Sequence, residues 1–205
     1  MQDAVATSMK KTIILILAFI IYTIIIKVCP FVTIWDKSII IALQCKLKDL
    51  PLYIPLLPDC KLYSFMIALP LIVGVIYFLI KKEWMKACYI CSIPLVTFLL
   101  NCIIKPIIQR PRPPFEIQQV IHPHSFSYVS SHSLVTVTLY GMIIYYFYKY
   151  CPNKSVKYSA ITISVIWILF VGLSRIWLGV HYPTDVLGAY ILGFILLQIY
   201  SKIRI

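Results

Sequence analysis

Residues 62–105 read LYSFMIALPLIVGVIYFLIKKEWMKACYICSIPLVTFLLNCIIK. Two uncharged apolar runs, 62–80 and 87–104, are separated by Lys81, Lys82, Glu83 and Lys86 and closed by Lys105. A helix rising about 1.5 Å per residue needs ~20 mainly apolar residues to cross the hydrocarbon core of a bilayer. Each run approaches that length, so the pair reads as two spans joined by a basic turn. Pro70 and Pro94 fall inside them, where a kink is expected and neighbouring helices can satisfy the freed carbonyls.

Four more stretches of the same kind lie outside this hairpin, at 12–28, 133–148, 158–173 and 186–200. The later ones are short and must borrow flanking residues such as Ile176 and Trp177. The 205 residues are 61% hydrophobic and 13% charged, with mean hydropathy +0.90. Soluble domains sit near 45–50% apolar and about 25% charged. That excludes a soluble globular domain, a disordered chain and a nucleic-acid binder with a solvated basic face. The expected fold is all-α: one polytopic membrane domain over 1–205, a bundle of six transmembrane helices. Lys10-Lys11 before the first run imitates a signal peptide, but no small-x-small site follows it, so this run is expected to be a retained span.

Between the first two spans, Ile34-Trp35 and 39–43 interleave with Lys37, Lys46 and Lys48. This pattern predicts a helix lying in the membrane interface. Pro51, Pro55 and Pro58 then favour an extended run. Cys45 and Cys60 share this segment and could pair. Cys88-x-x-Cys91 lacks the second half of a zinc site, and Cys88, Cys91 and Cys102, in or near spans, read as small apolar residues.

The few charges are mostly of one sign, net +12 with a pI near 9.4. With an internal N-terminus, alternating spans place ten basic residues on the cytoplasmic side and nine outside. Short cytoplasmic loops should be the richer ones. Four of the outer nine, Lys105, Arg110, Arg112 and Arg175, cluster at span ends on one face. Without them the usual bias returns, with both termini cytoplasmic and this face outside.

Parity brings Ser130-Ser131-His132, His181 and Asp185 to the same mouth. Each also has a structural reading. Ser130 or Ser131 can cap the fourth span, Pro183 at the first helical position puts Asp185 at N3, and Lys105 and Arg175 can snorkel. Together they form a cation cluster with little acid nearby, which suits an external anion. A helix N-terminus is a phosphate site, and arginine forks match phosphate oxygens. Of two histidines, one can attack phosphorus while the other protonates the leaving oxygen. Asp185 lies near His181 in sequence, so His181 reads as nucleophile, Asp185 as its orienter and His132 as the acid. Glu116, His122 and His124 lie in the loop above and are candidate headgroup contacts. Arg110 is a further contact or a partner for Glu116. His122-Pro123-His124 is too small a set for a metal site, and no metal or other cofactor is expected.

Lys105-x6-Arg112-Pro113, Ser130-Ser131-His132 and Ser174-Arg175-x5-His181-x3-Asp185 resemble the three signature motifs of the type 2 phosphatidic acid phosphatase family, which also includes vanadium haloperoxidases. The first and third motifs match at every defining position. In the second, Val129 stands where the family has Pro and Ser131 where it has Gly. If that Gly supplies a positive φ, Ser131 would be strained.

The resemblance implies a six-span lipid phosphatase working through a phosphohistidine. His181, Asp185 and His132 would be catalytic, and Lys105, Arg112, Ser130, Ser131 and Arg175 would hold phosphate. The expected partners are the bilayer and a membrane lipid phosphate, in the bacterial inner membrane with the site on the periplasmic or outer face. Undecaprenyl pyrophosphate is the leading expected substrate, with lipid A next, then phosphatidylglycerophosphate or phosphatidic acid. A lipid phosphotransferase and a non-catalytic anion- or lipid-binding protein are the remaining alternatives.

Overall fold

The computed structural model describes residues 2–51, 54, 61–118 and 123–202. Among them it contains seven helices and no strand: α1 Gln2–Val28, α2 Pro30–Lys46, α3 Lys61–Ile80, α4 Trp84–Ile108, α5 Ser131–Tyr150, α6 Lys154–Trp177 and α7 Pro183–Lys202. The six apolar stretches lie in α1 and α3–α7, and the interfacial segment is α2. Most of the proline run after it, Cys60 and His122 fall outside the described residues.

Pro30 opens α2 one residue after α1 ends, a position where its missing N–H costs no helical bond. Asp36, Ile40 and Gln44 then recur every four residues and share one face of α2. Ile40 is fully buried against Ile176, Tyr182 and Val186. The Gln44 amide donates to the carbonyls of Ile117 and Trp177 at 2.9 and 2.8 Å. Phe31, Ile34, Trp35 and Ile41 stay exposed. The helix therefore has an apolar outer face and an inner face keyed into the loops between the spans.

Among the described residues, five helices are long and apolar enough to cross a membrane: Met9–Val28, Tyr63–Ile80, Trp84–Ile108, Lys154–Trp177 and Pro183–Ser201. The sixth, α5, falls short in apolarity and is an interior helix. It packs on α4, α6 and α7 and buries Ser133, Thr136 and Thr138 with Leu134, Leu139 and Met142. A helix that faces protein needs less lipid-like surface, provided its hydroxyls are bonded. Thr138 donates to the Leu134 carbonyl at 2.8 Å, Ser133 to Ser130 Oγ at 3.0 Å, and the buried Tyr140 hydroxyl to the Met66 carbonyl at 2.7 Å. A Cβ on Gly193 of α7 would stand 2.3 Å from Val137, so this glycine sets how closely α5 and α7 approach.

Candidate active site

Three chain segments converge at one end of the bundle: the end of α4 with the loop after it, the start of α5, and the α6–α7 connection. Gln109 turns the chain out of α4 in a left-handed conformation, φ 54°, while its N–H closes the helix on the Lys105 carbonyl. Arg110 then runs inward and Arg112 runs along the mouth.

Arg110 is buried, with one guanidinium nitrogen 2.7 Å from Asp36 Oδ2 and the other 2.6 Å from Asp185 Oδ1. The second nitrogen also donates to Thr184 Oγ1 at 2.8 Å, and the guanidinium lies 4.2 Å from the centre of the Tyr182 ring. Burial works against its charge, but Asp185 and Asp36 outweigh that and hold the guanidinium above its ordinary value. Arg110 is thus neither an outward headgroup contact nor a partner for Glu116. It is the bridge that lets two carboxylates be buried together.

Asp185 is fully buried at N3 of α7. Its Oδ2 accepts the N–H of Tyr182 at 2.9 Å, the reach-back of a capping box, and also the hydroxyl of Ser127. The same oxygen stands 3.6 Å from His181 Nδ1, which has no other hydrogen-bond partner among the described residues. At the ring's other nitrogen, Arg112 Nη1 approaches His181 Nε2 to 3.2 Å. A guanidinium can only donate, so Nε2 presents its lone pair and the ring proton sits on Nδ1, toward Asp185. Burial, helped by Arg112 and Lys105, pushes His181 down to about 3 against the pull of Asp185. The imidazole is therefore neutral near pH 7, with the Nε2 lone pair turned to the cations and accepting from Arg112.

Arg112 is held by the carbonyls of Ser125 and Val180, at 2.7 and 2.6 Å, and by Ser125 Oγ at 2.9 Å. Lys105 Nζ donates to the Phe126 carbonyl at 2.6 Å. Arg175 is buried in the last turn of α6, and its carbonyl receives the N–H groups of Val180 and His181 at 3.2 and 3.3 Å. That hairpin turns at Gly179, φ +67°, where a Cβ would lie 2.3 Å from the Ile117 carbonyl oxygen. Only glycine satisfies both constraints.

Ser130 stands fully buried at the N-cap position of α5, its side chain making no capping bond, and its N–H reaches the Asp185 carbonyl at 3.4 Å. Ser131 is the first residue of α5, and the non-glycine residues with positive φ among those described are Lys82 and Gln109. Serine in the glycine position therefore carries no backbone strain. His132 follows, half-buried, with its ring 4.6 Å from that of Tyr63. The Tyr63 hydroxyl donates to the His132 carbonyl at 3.2 Å. Glu116 and His124 are exposed on the loop above.

Sequence reasoning missed Asp36, Tyr63, Ser127 and Thr184. Asp36 left one usable signal, as a lone carboxylate on the same helical stripe as Ile40 and Gln44.

Residues 86–204 match the PAP2 superfamily, more than half of the chain and all three motif segments. The chain therefore belongs to that superfamily and is an integral membrane protein. Among individual proteins, it is 38% identical over 139 residues to phosphatidylglycerophosphatase B of Bacillus subtilis (strain 168). That alignment covers 65% of this chain and 64% of the relative, so the match spans less than two thirds of the relative's length. A crystal structure of a transmembrane PAP2 type phosphatidylglycerolphosphate phosphatase from Bacillus subtilis superposes with a TM-score of 0.77 at 30% identity, covering 95% of this chain and 98% of that one.

Proposed function

We propose that this protein is a lipid phosphatase that removes the phosphate of phosphatidylglycerophosphate through a phosphohistidine on His181. The observation that carries this reading is the 3.2 Å approach of Arg112 to His181 Nε2. It leaves a neutral, buried imidazole with its lone pair facing a cationic mouth.

In this reading Lys105, Arg112, Arg175, the hydroxyls of Ser130 and Ser131 and the N–H of Ser131 hold the phosphate oxygens. His181 Nε2 attacks phosphorus and forms the N–P bond. The bond from phosphorus to the lipid oxygen breaks, and that oxygen takes a proton from His132. Asp185 holds the Nδ1 proton as the ring becomes positive; a shift of a few tenths of an ångström closes their 3.6 Å separation to a hydrogen bond. Water then attacks the phosphohistidine, gives its proton to His132, and releases inorganic phosphate with His181 restored. Tyr63 supports the ring of His132 throughout.

Both relatives are named for phosphatidylglycerophosphate, which favours that substrate over undecaprenyl pyrophosphate and lipid A. The basic residues at the far end of the bundle favour a plasma membrane with the site on its outer face. The test is phosphate release by detergent-purified protein in EDTA, comparing phosphatidylglycerophosphate, phosphatidic acid, undecaprenyl pyrophosphate and lipid A. The highest kcat/KM is expected with phosphatidylglycerophosphate. A higher value with undecaprenyl pyrophosphate would overturn the substrate assignment, and no release from any of them would overturn the enzyme reading.

A further inference from the structure

At the end of the bundle away from His181, α3, α4, α5 and α6 part to leave a groove of about 580 Å³. Gly74, Phe78, Ile90, Tyr146, Tyr150 and Ile163 are among the residues that line it. Ile163 is 60% exposed, so the groove opens sideways between spans, where the surroundings are hydrocarbon. An occupant must be apolar along most of its length.

The groove's end is not apolar. Lys149 Nζ lies 5.1 Å from the centre of the Tyr150 ring and 2.9 Å from the Tyr145 hydroxyl. Lys86 Nζ lies 6.0 Å from the Phe78 ring, with Glu83 3.1 Å away. Two ammonium groups thus rest on aromatic rings that form the groove's own walls, a placement that favours cations. Lys81, Lys82, Lys154 and Lys157 sit on the adjoining helix ends. Across α3–α6 and their connections at this end, Glu83 is the one carboxylate, and it is matched by Lys86. The net charge facing a headgroup is strongly positive, with Lys149 resting on the Tyr150 ring of the groove wall.

We propose that this groove is a second lipid site, separate from the candidate active site. It takes an acidic glycerophospholipid from the leaflet at the far end of the bundle. One acyl chain lies along Phe78, Tyr146 and Ile163, and the phosphate headgroup sits at Lys149. The site does not depend on the phosphatase reading, because it shares no residue with that mouth.

The test uses the purified full-length chain and phosphatidylglycerol carrying a diazirine in one acyl chain. Irradiation followed by peptide mass spectrometry should place the label on the segments holding Tyr146 and Ile163. Unlabelled phosphatidylglycerol should compete roughly fivefold better than phosphatidylcholine, as expected for one lysine near an anionic headgroup. Lys149→Gln should erase that difference at these segments, and Lys149→Arg should keep it. Equal competition by the two lipids, a preference that survives Lys149→Gln, or label spread evenly along all spans would overturn the proposal. Loss of labelling as protein concentration rises would overturn it too, by assigning the groove to a second copy of the chain.

Discussion

Arg110 and Arg112 leave the same turn two residues apart and end in opposite electrostatic surroundings. Arg110 lies between Asp36 and Asp185, with Thr184 completing its contacts, and is 5% exposed. Arg112 is positioned by the carbonyls of Ser125 and Val180 and reaches the imidazole of His181. Carboxylates neutralise a guanidinium, whereas carbonyls orient it without cancelling its charge. One wall of the site is therefore a closed ionic scaffold, and the other is a positive surface suited to phosphate. The same residue type at nearly the same place braces the fold in one case and lines the proposed phosphate site in the other.

Breaking the two walls should have different consequences. Arg112→Lys keeps a charge but loses the planar fork. It should lower kcat/KM on the lipid phosphate by about 10²–10³, the usual effect of removing one preorganised oxyanion donor, while the apparent Tm in detergent hardly moves. Arg110→Ala should act in the opposite order. It leaves two buried carboxylates without their shared cation, a loss of roughly 3–5 kcal/mol that appears first as reduced folded protein and a lower Tm. Equal effects of the two changes on stability would erase the distinction between the walls.

A smaller effect is expected from Tyr63, which touches the proposed acid rather than the phosphate. Tyr63→Leu should reduce turnover of the lipid phosphate about tenfold through loss of orientation at His132. p-Nitrophenyl phosphate has a leaving group that needs little protonation, so its turnover should change less than about twofold. Steady-state kinetics on both substrates separates this from a general disturbance, which would slow them equally.

A separate effect, on stability, concerns pH and His181. Its folded-state value of about 3 lies below the ordinary histidine value of about 6.5. Between these limits the unfolded chain binds a proton that the folded protein does not. The contribution is fully present above about pH 6.5 and is lost as pH falls toward 3. His181→Asn removes that loss. The Tm of the wild type relative to the variant should therefore decline as pH is lowered from 7 to 4.

The outward wall was largely legible in the sequence, because each of its residues sits at a span end and parity alone brings those ends together. Arg112, His132, His181 and Asp185 needed only spacing and chemistry to be singled out. The scaffold wall was not legible. Asp36 and Arg110 are far apart in sequence, and a stripe of Asp36, Ile40 and Gln44 looks the same on a helix at the interface as on one keyed into a bundle. Arg110 could not be assigned a role until that partner was found. Tyr63 was hidden for a related reason: at the start of an apolar span, an aromatic residue reads as a membrane anchor. The polar character of α5 points the other way. Its serines and threonines weaken it as a span on hydropathy, yet they mark a helix that faces protein along most of its length.

The central claim is that His181 itself carries the phosphoryl group. Acid-labile, alkali-stable phosphohistidine can be sought directly by rapid mixing with ³²P-labelled lipid phosphate, alkaline denaturation and peptide mapping. The account predicts a transient label on the peptide containing His181, absent from His181→Asn; with ³²P-labelled p-nitrophenyl phosphate, whose leaving group needs little protonation, the label should accumulate in a variant whose His132 is changed to Ala, because water then lacks its base. Full turnover with no protein-bound phosphate at any time, or label on a different residue, would contradict it.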